Sequence, residues 1–120
     1  MSKIFVLLLL CSLAFPMHSH AQETHSRIAL VIGNSAYQSV PNLRNPSNDA
    51  SDIAVALEDL GFDVSLHLDV DDVQMRGAIR DFAKKSVSAD LSIVYFAGHG
   101  IEIDKKNFLL PIDAELSLPN

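Results

Sequence analysis

The chain has one cysteine, Cys11, and it sits in an apolar run near the start, ahead of any segment patterned to fold. One thiol makes no disulfide framework, which excludes the cross-linked secreted scaffolds. Basic residues are also scarce: nine Lys and Arg stand against fifteen Asp and Glu, a formal net charge of −6. Such a balance offers no positive face for nucleic acid or an anionic membrane. The apolar run from Ile4 to Phe15 falls short of the ~20 residues that span a bilayer. "GNSAY" (Gly33–Tyr37) is followed by neither G-x-G-x-x-G nor G-K-S, so it does not read as a phosphate loop. His67 has no second ligand at metal spacing and reads as a surface residue. Asp69, Asp71 and Asp72 lack the alternation and central glycine of a calcium loop, and helix capping explains them better.

What is present begins with Lys3, the apolar run and a Ser-His-Ala ending at Ala21. That order reads as a secretory signal peptide over residues 1–21, predicting export to the periplasm or outside the cell with no stable membrane anchor after cleavage. The remaining chain would lose Lys3 and Cys11. It would then carry fifteen acids against eight bases, a net −7, and no thiol nucleophile. Residues 22–26 read as a polar leader, and 27–120 as a domain able to bury one modest core.

"RIALVIGN" (Arg27–Asn34) is a continuous apolar run, the pattern of a strand covered on both faces. After a loop at 35–44 containing Tyr37, read as a loop anchor, Asn45 and Pro46 suit the N-cap and first position of a helix. Ile53, Leu57 and Leu60 would form its apolar side, with Gly61 ending it and Phe62 packing back. "FDVSLHLD" (Phe62–Asp69) alternates as a strand with one face more exposed. Asp71 and Gln74 make an acidic capping box for a helix that would bury Met75, Ile79 and Phe82 and end at Lys84 and Lys85. "LSIVYFAG" (Leu91–Gly98) is a third strand, and "IEIDKKNFLLPID" a hairpin with a solvated tip at Lys105 and Lys106. Strand, helix, strand, helix, strand is the order of an α/β layer fold whose ligands gather at the carboxyl ends of the strands.

His99 stands at one such end, between Gly98 and Gly100. One reading makes it a turn residue whose ring bonds a backbone carbonyl. The other makes it an acid–base group beside the uncovered Gly100 N–H, two of the three parts of an acyl-transfer site. It requires the ring at the same rim where Asn34 and Asp49 emerge.

"RIALVIGNSAY", "NPSNDASDIAVALEDLGFDV", "LSIVYFAGHG" and "NFLLPIDA", in that order over Arg27–Ala114, resemble the amino-terminal part of the large-subunit region of caspase-like cysteine peptidases, nearest the metacaspase-like bacterial branch. The resemblance implies a three-layer, mostly parallel sheet in flavodoxin-like order, incomplete in this chain. It implies that His99 is the histidine of a Cys-His dyad, that the Gly100 amide joins the oxyanion hole, and that Asp49 selects Arg or Lys before the cut. Asp49 has a plainer reading as a first-turn acid on the helix dipole, and Arg44 lies near an arginine that caspases use for aspartate, in a poor local match. The family's cysteine follows its histidine by roughly fifty residues, past Asn120.

The expected function is therefore the amino-terminal part of an exported cysteine endopeptidase, inactive alone and acting on a peptide or protein with a basic residue before the cut. No cofactor is expected from the residues, although calcium serves some metacaspase relatives. The alternatives are a caspase-fold interaction module associating through a sheet edge, and an unrelated flavodoxin-like binding domain. Apolar surface on the third strand, left in water, predicts marginal stability.

Overall fold

The computed structural model describes residues 25–117, so the signal peptide and most of the leader expected from the sequence lie outside the described residues. Ser26, at the leader's end, bonds the Asp90 carboxylate through its N–H and accepts from the N–H groups of Asp90 and Leu91. The elements follow as β1 (Arg27–Gly33), α1 (Pro46–Asp59), β2 (Asp63–Leu68), α2 (Asp72–Ser86), β3 (Leu91–Ala97), β4 (Gly100–Ile103) and β5 (Lys106–Leu109). The first three strands form a parallel sheet in the order β2-β1-β3, and β4 and β5 form an antiparallel hairpin. Among the described residues β1 is thus the central strand, which explains its unbroken apolar run.

Alternate residues of β1 face two separate cores. Leu30 and Ile32 pack with Val70 and Met75, with Ala78, Phe82 and Phe96 around them, under α2. Val31 packs with Ala50 and Ala54 of α1, flanked by Ile53, Leu57, Val64 and Tyr95. A helix on each face of the sheet gives the three expected layers. The α1 contact is close because its buried positions are alanines and because β1 ends in glycine. A Cβ on Gly33 would stand 2.6 Å from both the Ala50 Cβ and the Pro46 carbonyl oxygen, so the missing side chain lets the start of α1 sit on the end of β1.

Three local expectations are corrected. Asn45 does stand at the N-cap before Pro46, its carbonyl accepting from the Asp49 N–H, but its side chain makes no capping bond and it is itself helical in φ and ψ. The Ser35 hydroxyl accepts from the Ser47 N–H at 3.0 Å instead. A loop side chain from the end of β1 thereby ties α1 to the sheet rim. Leu60 is 63 % exposed, because it is the C-cap residue and has rotated off the buried stripe, while Gly61 takes φ +83° and Phe62 returns its N–H to the Leu57 carbonyl. Ile79 is 46 % exposed, since α2 turns Met75, Ala78 and Phe82 toward the sheet. The α2 capping box forms as expected, with Asp71 and Gln74 exchanging side chain-to-backbone bonds.

The β4–β5 hairpin turns on Asp104 and Lys105, both at positive φ, the two-residue geometry that matches strand twist. Leu91 and Val94 of β3 are 47 % and 58 % exposed.

Candidate active site

Where β1 and β3 end, their last pair is Gly33 with Ala97, and the chain turns outward from both. Asn34 does not emerge at the rim as expected. It is fully buried, and its N–H continues the ladder to the Ala97 carbonyl at 2.9 Å. Its side chain accepts from the Val70 N–H at 3.0 Å and donates to the Leu110 and Val70 carbonyls at 3.1 and 3.5 Å. One amide thus joins the end of β1 to the segment after β2 and the segment after β5. Among the described residues no buried side-chain polar atom lacks a partner, as a rigid polar network requires.

The loop after Asn34 carries Tyr37, buried, and Pro41, exposed. The Tyr37 hydroxyl donates to the Leu110 carbonyl at 3.1 Å and accepts from the His99 N–H at 2.8 Å. Tyr37 is therefore the anchor anticipated from the sequence, reaching across to the turn that holds the histidine. The loop is braced by bonds from Gln38 N–H to the Ile112 carbonyl and from Leu43 N–H to the Ser35 carbonyl. Asp69 adds its carboxylate to the N–H groups of Ser35 and Ala36.

His99 lies in the two-residue turn between β3 and β4, half-buried. Its ring Nε2 is 2.7 Å from the Pro41 carbonyl oxygen. A carbonyl can only accept, so Nε2 carries the proton, and in the neutral ring Nδ1 keeps its lone pair. The ring thus bonds a backbone carbonyl, as the first reading of His99 has it, and the second reading turns on the nitrogen that bond leaves over, Nδ1. The imidazole also packs on the Tyr37 ring, centroids 4.7 Å apart and planes tilted by 58°.

Gly100 follows directly and pairs with Leu109. The neighbouring bond, Leu110 N–H to His99 carbonyl at 2.9 Å, makes Gly100–Leu109 the non-hydrogen-bonded pair of the antiparallel alternation. The Gly100 N–H therefore points away from β5. Asp49 lies exposed in the first turn of α1 at the same end of the sheet, and no hydrogen bond or ion pair among the described residues engages its carboxylate. His99 and Gly100 are adjacent, and Asp49 shares their rim without touching them. Arg44 is exposed in the loop before α1.

Burial is the main force on the Tyr37 phenol and raises it above its ordinary 10.0, against the lowering effect of the His99 N–H and Asn34. An acid raised on folding holds its proton longer in the native state. Its contribution to stability is complete below pH 10 and declines as pH rises through the raised value, because the unfolded chain ionises first. Urea denaturation should accordingly show the wild type losing stability above pH 10 more steeply than Tyr37→Phe, with parallel curves at neutral pH.

The acidic cluster is engaged within the fold: Asp69 holds the loop, Asp71 caps α2 and Asp72 grips Arg76 through both oxygens. Among the described residues no group of three or more His, Cys, Asp or Glu converges as a metal site would, and no helix is long and apolar enough to cross a membrane. His67, expected on the surface, is half-buried in the groove between β2 and α2. Pro41 was not legible as a site residue, because its contribution is a main-chain oxygen. Asn34 had one signal, a polar residue ending an apolar run.

A family model described as the caspase domain matches residues 26–119. The chain is also similar to the human mucosa-associated lymphoid tissue lymphoma translocation protein 1, at 34 % identity over 88 residues. The mouse homolog matches at 33 % over 88 residues. Each match covers 73 % of this chain and 11 % of the relative, so the chain spans about a tenth of those proteins' length. Both relatives are mammalian, and the metacaspase-like bacterial branch rests on the sequence likeness alone.

Proposed function

We propose, from the premise that this chain belongs to the caspase-domain family, that it supplies the histidine half of a cysteine endopeptidase site cutting after Arg or Lys. The bond from His99 Nε2 to the Pro41 carbonyl carries this reading, because it fixes the ring and places the proton of the neutral imidazole on Nε2, so that Nδ1 keeps the lone pair. The thiol comes from outside the described residues, which contain no cysteine. It passes its proton to Nδ1, and the thiolate attacks the scissile carbonyl carbon. The carbonyl π electrons move to oxygen, where the outward Gly100 N–H stabilises the charge. As the tetrahedral intermediate collapses, the C–N bond breaks and the imidazolium gives its proton to the leaving amine. Water, deprotonated by the same ring, then hydrolyses the thioester. Export through residues 1–21 belongs to the same proposal.

Asp49 is the selector. An exposed carboxylate on the same rim, with no partner among the described residues, suits the guanidinium or ammonium of the residue before the cut. Asp49→Asn in the intact protein is expected to lower kcat/KM for Arg- and Lys-ended peptides by about tenfold to hundredfold, as truncating a paired charge does. If it only served the helix dipole, the change would shift stability by about 0.3–1 kcal/mol and leave the preference for basic residues intact. Wild-type protein that cleaves after aspartate, or cleaves nothing, overturns the assignment.

A further inference from the structure

We infer that Tyr37 is a positioning residue for His99, and that position 98 is glycine so that the Tyr37 hydroxyl can reach the His99 amide. The inference rests on the peptidase reading only for its effect on turnover; the clamp itself is a property of the fold.

Two antiparallel residues that pair through hydrogen bonds ordinarily exchange two of them. His99 and Leu110 make only one directly, Leu110 N–H to the His99 carbonyl. In place of the other, the Tyr37 hydroxyl is interposed, accepting from His99 N–H and donating to the Leu110 carbonyl. A phenol is suited to this because one oxygen both donates and accepts. A phenol, which ionises only at about pH 10, holds the donated proton at neutral pH.

The space for that oxygen comes from Gly98. A Cβ there would stand 2.6 Å from the Tyr37 hydroxyl and 2.8 Å from the tip of the Phe96 ring, contacts real side chains do not tolerate. The glycine before His99 thus serves the clamp, and the glycine after it leaves an amide open. Tyr37 and Pro41 belong to one braced loop, so a single segment grips the histidine by its main-chain N–H and by its ring nitrogen. With the Tyr37 ring against the imidazole, the ring has little freedom to turn Nδ1 away. Misplacing a catalytic group by about 1 Å can cost on the order of a hundredfold in rate.

The test compares wild type, Tyr37→Phe and Gly98→Ala in the intact protein, with thermal melts to confirm folding. Phenylalanine keeps the ring packing and removes only the bridging oxygen; alanine at 98 keeps the tyrosine and displaces it. Both are expected to speed exchange of the His99 amide proton by about tenfold, the loss of one buried hydrogen bond. Both should also blur the single Nε2–H tautomer in the His99 ring ¹⁵N spectrum, and lower kcat by about tenfold with KM unchanged. A residue that merely packs would move the melting temperature and none of these. Unchanged exchange and an unchanged tautomer signal in both variants overturn the inference. Because those two readouts need no thiol and no substrate, a wild type that cleaves nothing while both variants lose the tautomer signal sinks the peptidase reading and leaves the clamp standing.

Discussion

Replacing His99 with alanine in the intact protein is expected to reduce kcat by about 10²–10⁴ while the protein still folds and binds its peptide. The residue is half-buried in a turn, and among the described residues its ring makes one hydrogen bond, to Pro41. Removing it therefore takes little from the core. On the proposed mechanism it removes the base that accepts the thiol proton and the acid that returns it to the leaving amine. The Gly100 N–H would remain, so residual turnover above the uncatalysed rate is expected from oxyanion stabilisation alone. His99→Gln separates the two functions of the ring. It can still donate to the Pro41 carbonyl, yet it has no basic nitrogen, so stability should return and turnover should not. Kinetics on a fluorogenic peptide ending in arginine, with urea denaturation of each variant, measure both. Full activity in either variant would mean that the imidazole is structural.

The second large effect is on stability. Asn34→Ala is expected to cost about 2–4 kcal/mol, because it strands buried polar groups that water cannot reach. The Val70 N–H loses its acceptor, and the Leu110 carbonyl keeps only the Tyr37 hydroxyl. Asn34→Asp should also destabilise, since it preserves the acceptor for Val70 while burying a charge and losing both donated bonds. The penalty should reach the site as well: Asn34 and Tyr37 share the Leu110 carbonyl, so loosening one releases the other's hold on the turn. Denaturant midpoints at neutral pH, with exchange of the Val70 and His99 amides, read the loss directly. A change under about 0.5 kcal/mol, the range of ordinary surface substitutions, would mean the network relaxes onto water.

Much of the fold was legible because each signal was local. The unbroken apolar run at Arg27–Asn34 required cover on both faces, and the structure places α1 and α2 there. The Asp71–Gln74 box and the Gly61 stop needed only neighbouring residues. Periodicity misled at Leu60 because an apolar stripe drifts at a helix end. It misled at Ile79, in the middle of α2, because which members stay buried depends on the angle at which the helix meets the sheet. Asn45 kept the N-cap position, but the side-chain bond to the helix start comes from Ser35, a residue ten positions earlier that only the folded loop brings near. The site divides in the same way. His99 and Gly100 stood out by residue type and position, whereas Asp49 was singled out by the family resemblance alone. The Pro41 oxygen could not, because every residue has a carbonyl and only the fold decides which one meets a ring.

Seen together, the glycines around His99 have separate causes. Gly98 makes room for an oxygen arriving from the loop after β1, and Gly100 leaves a donor uncovered at the start of β4. Neither depends on the backbone adopting a left-handed turn, since among the described residues Gly61 is the glycine at positive φ.

The most direct measurement is a crystal structure of the intact protein inactivated by a peptidyl-arginine chloromethyl ketone. A cysteine sulfur bonded to the inhibitor should lie within about 3–4 Å of His99 Nδ1, with Nε2 still on the Pro41 carbonyl and the arginine side chain directed to Asp49. A sulfur beside Nε2 instead, or a labelled site remote from the rim of β1 and β3, would contradict the assignment of His99 as the base.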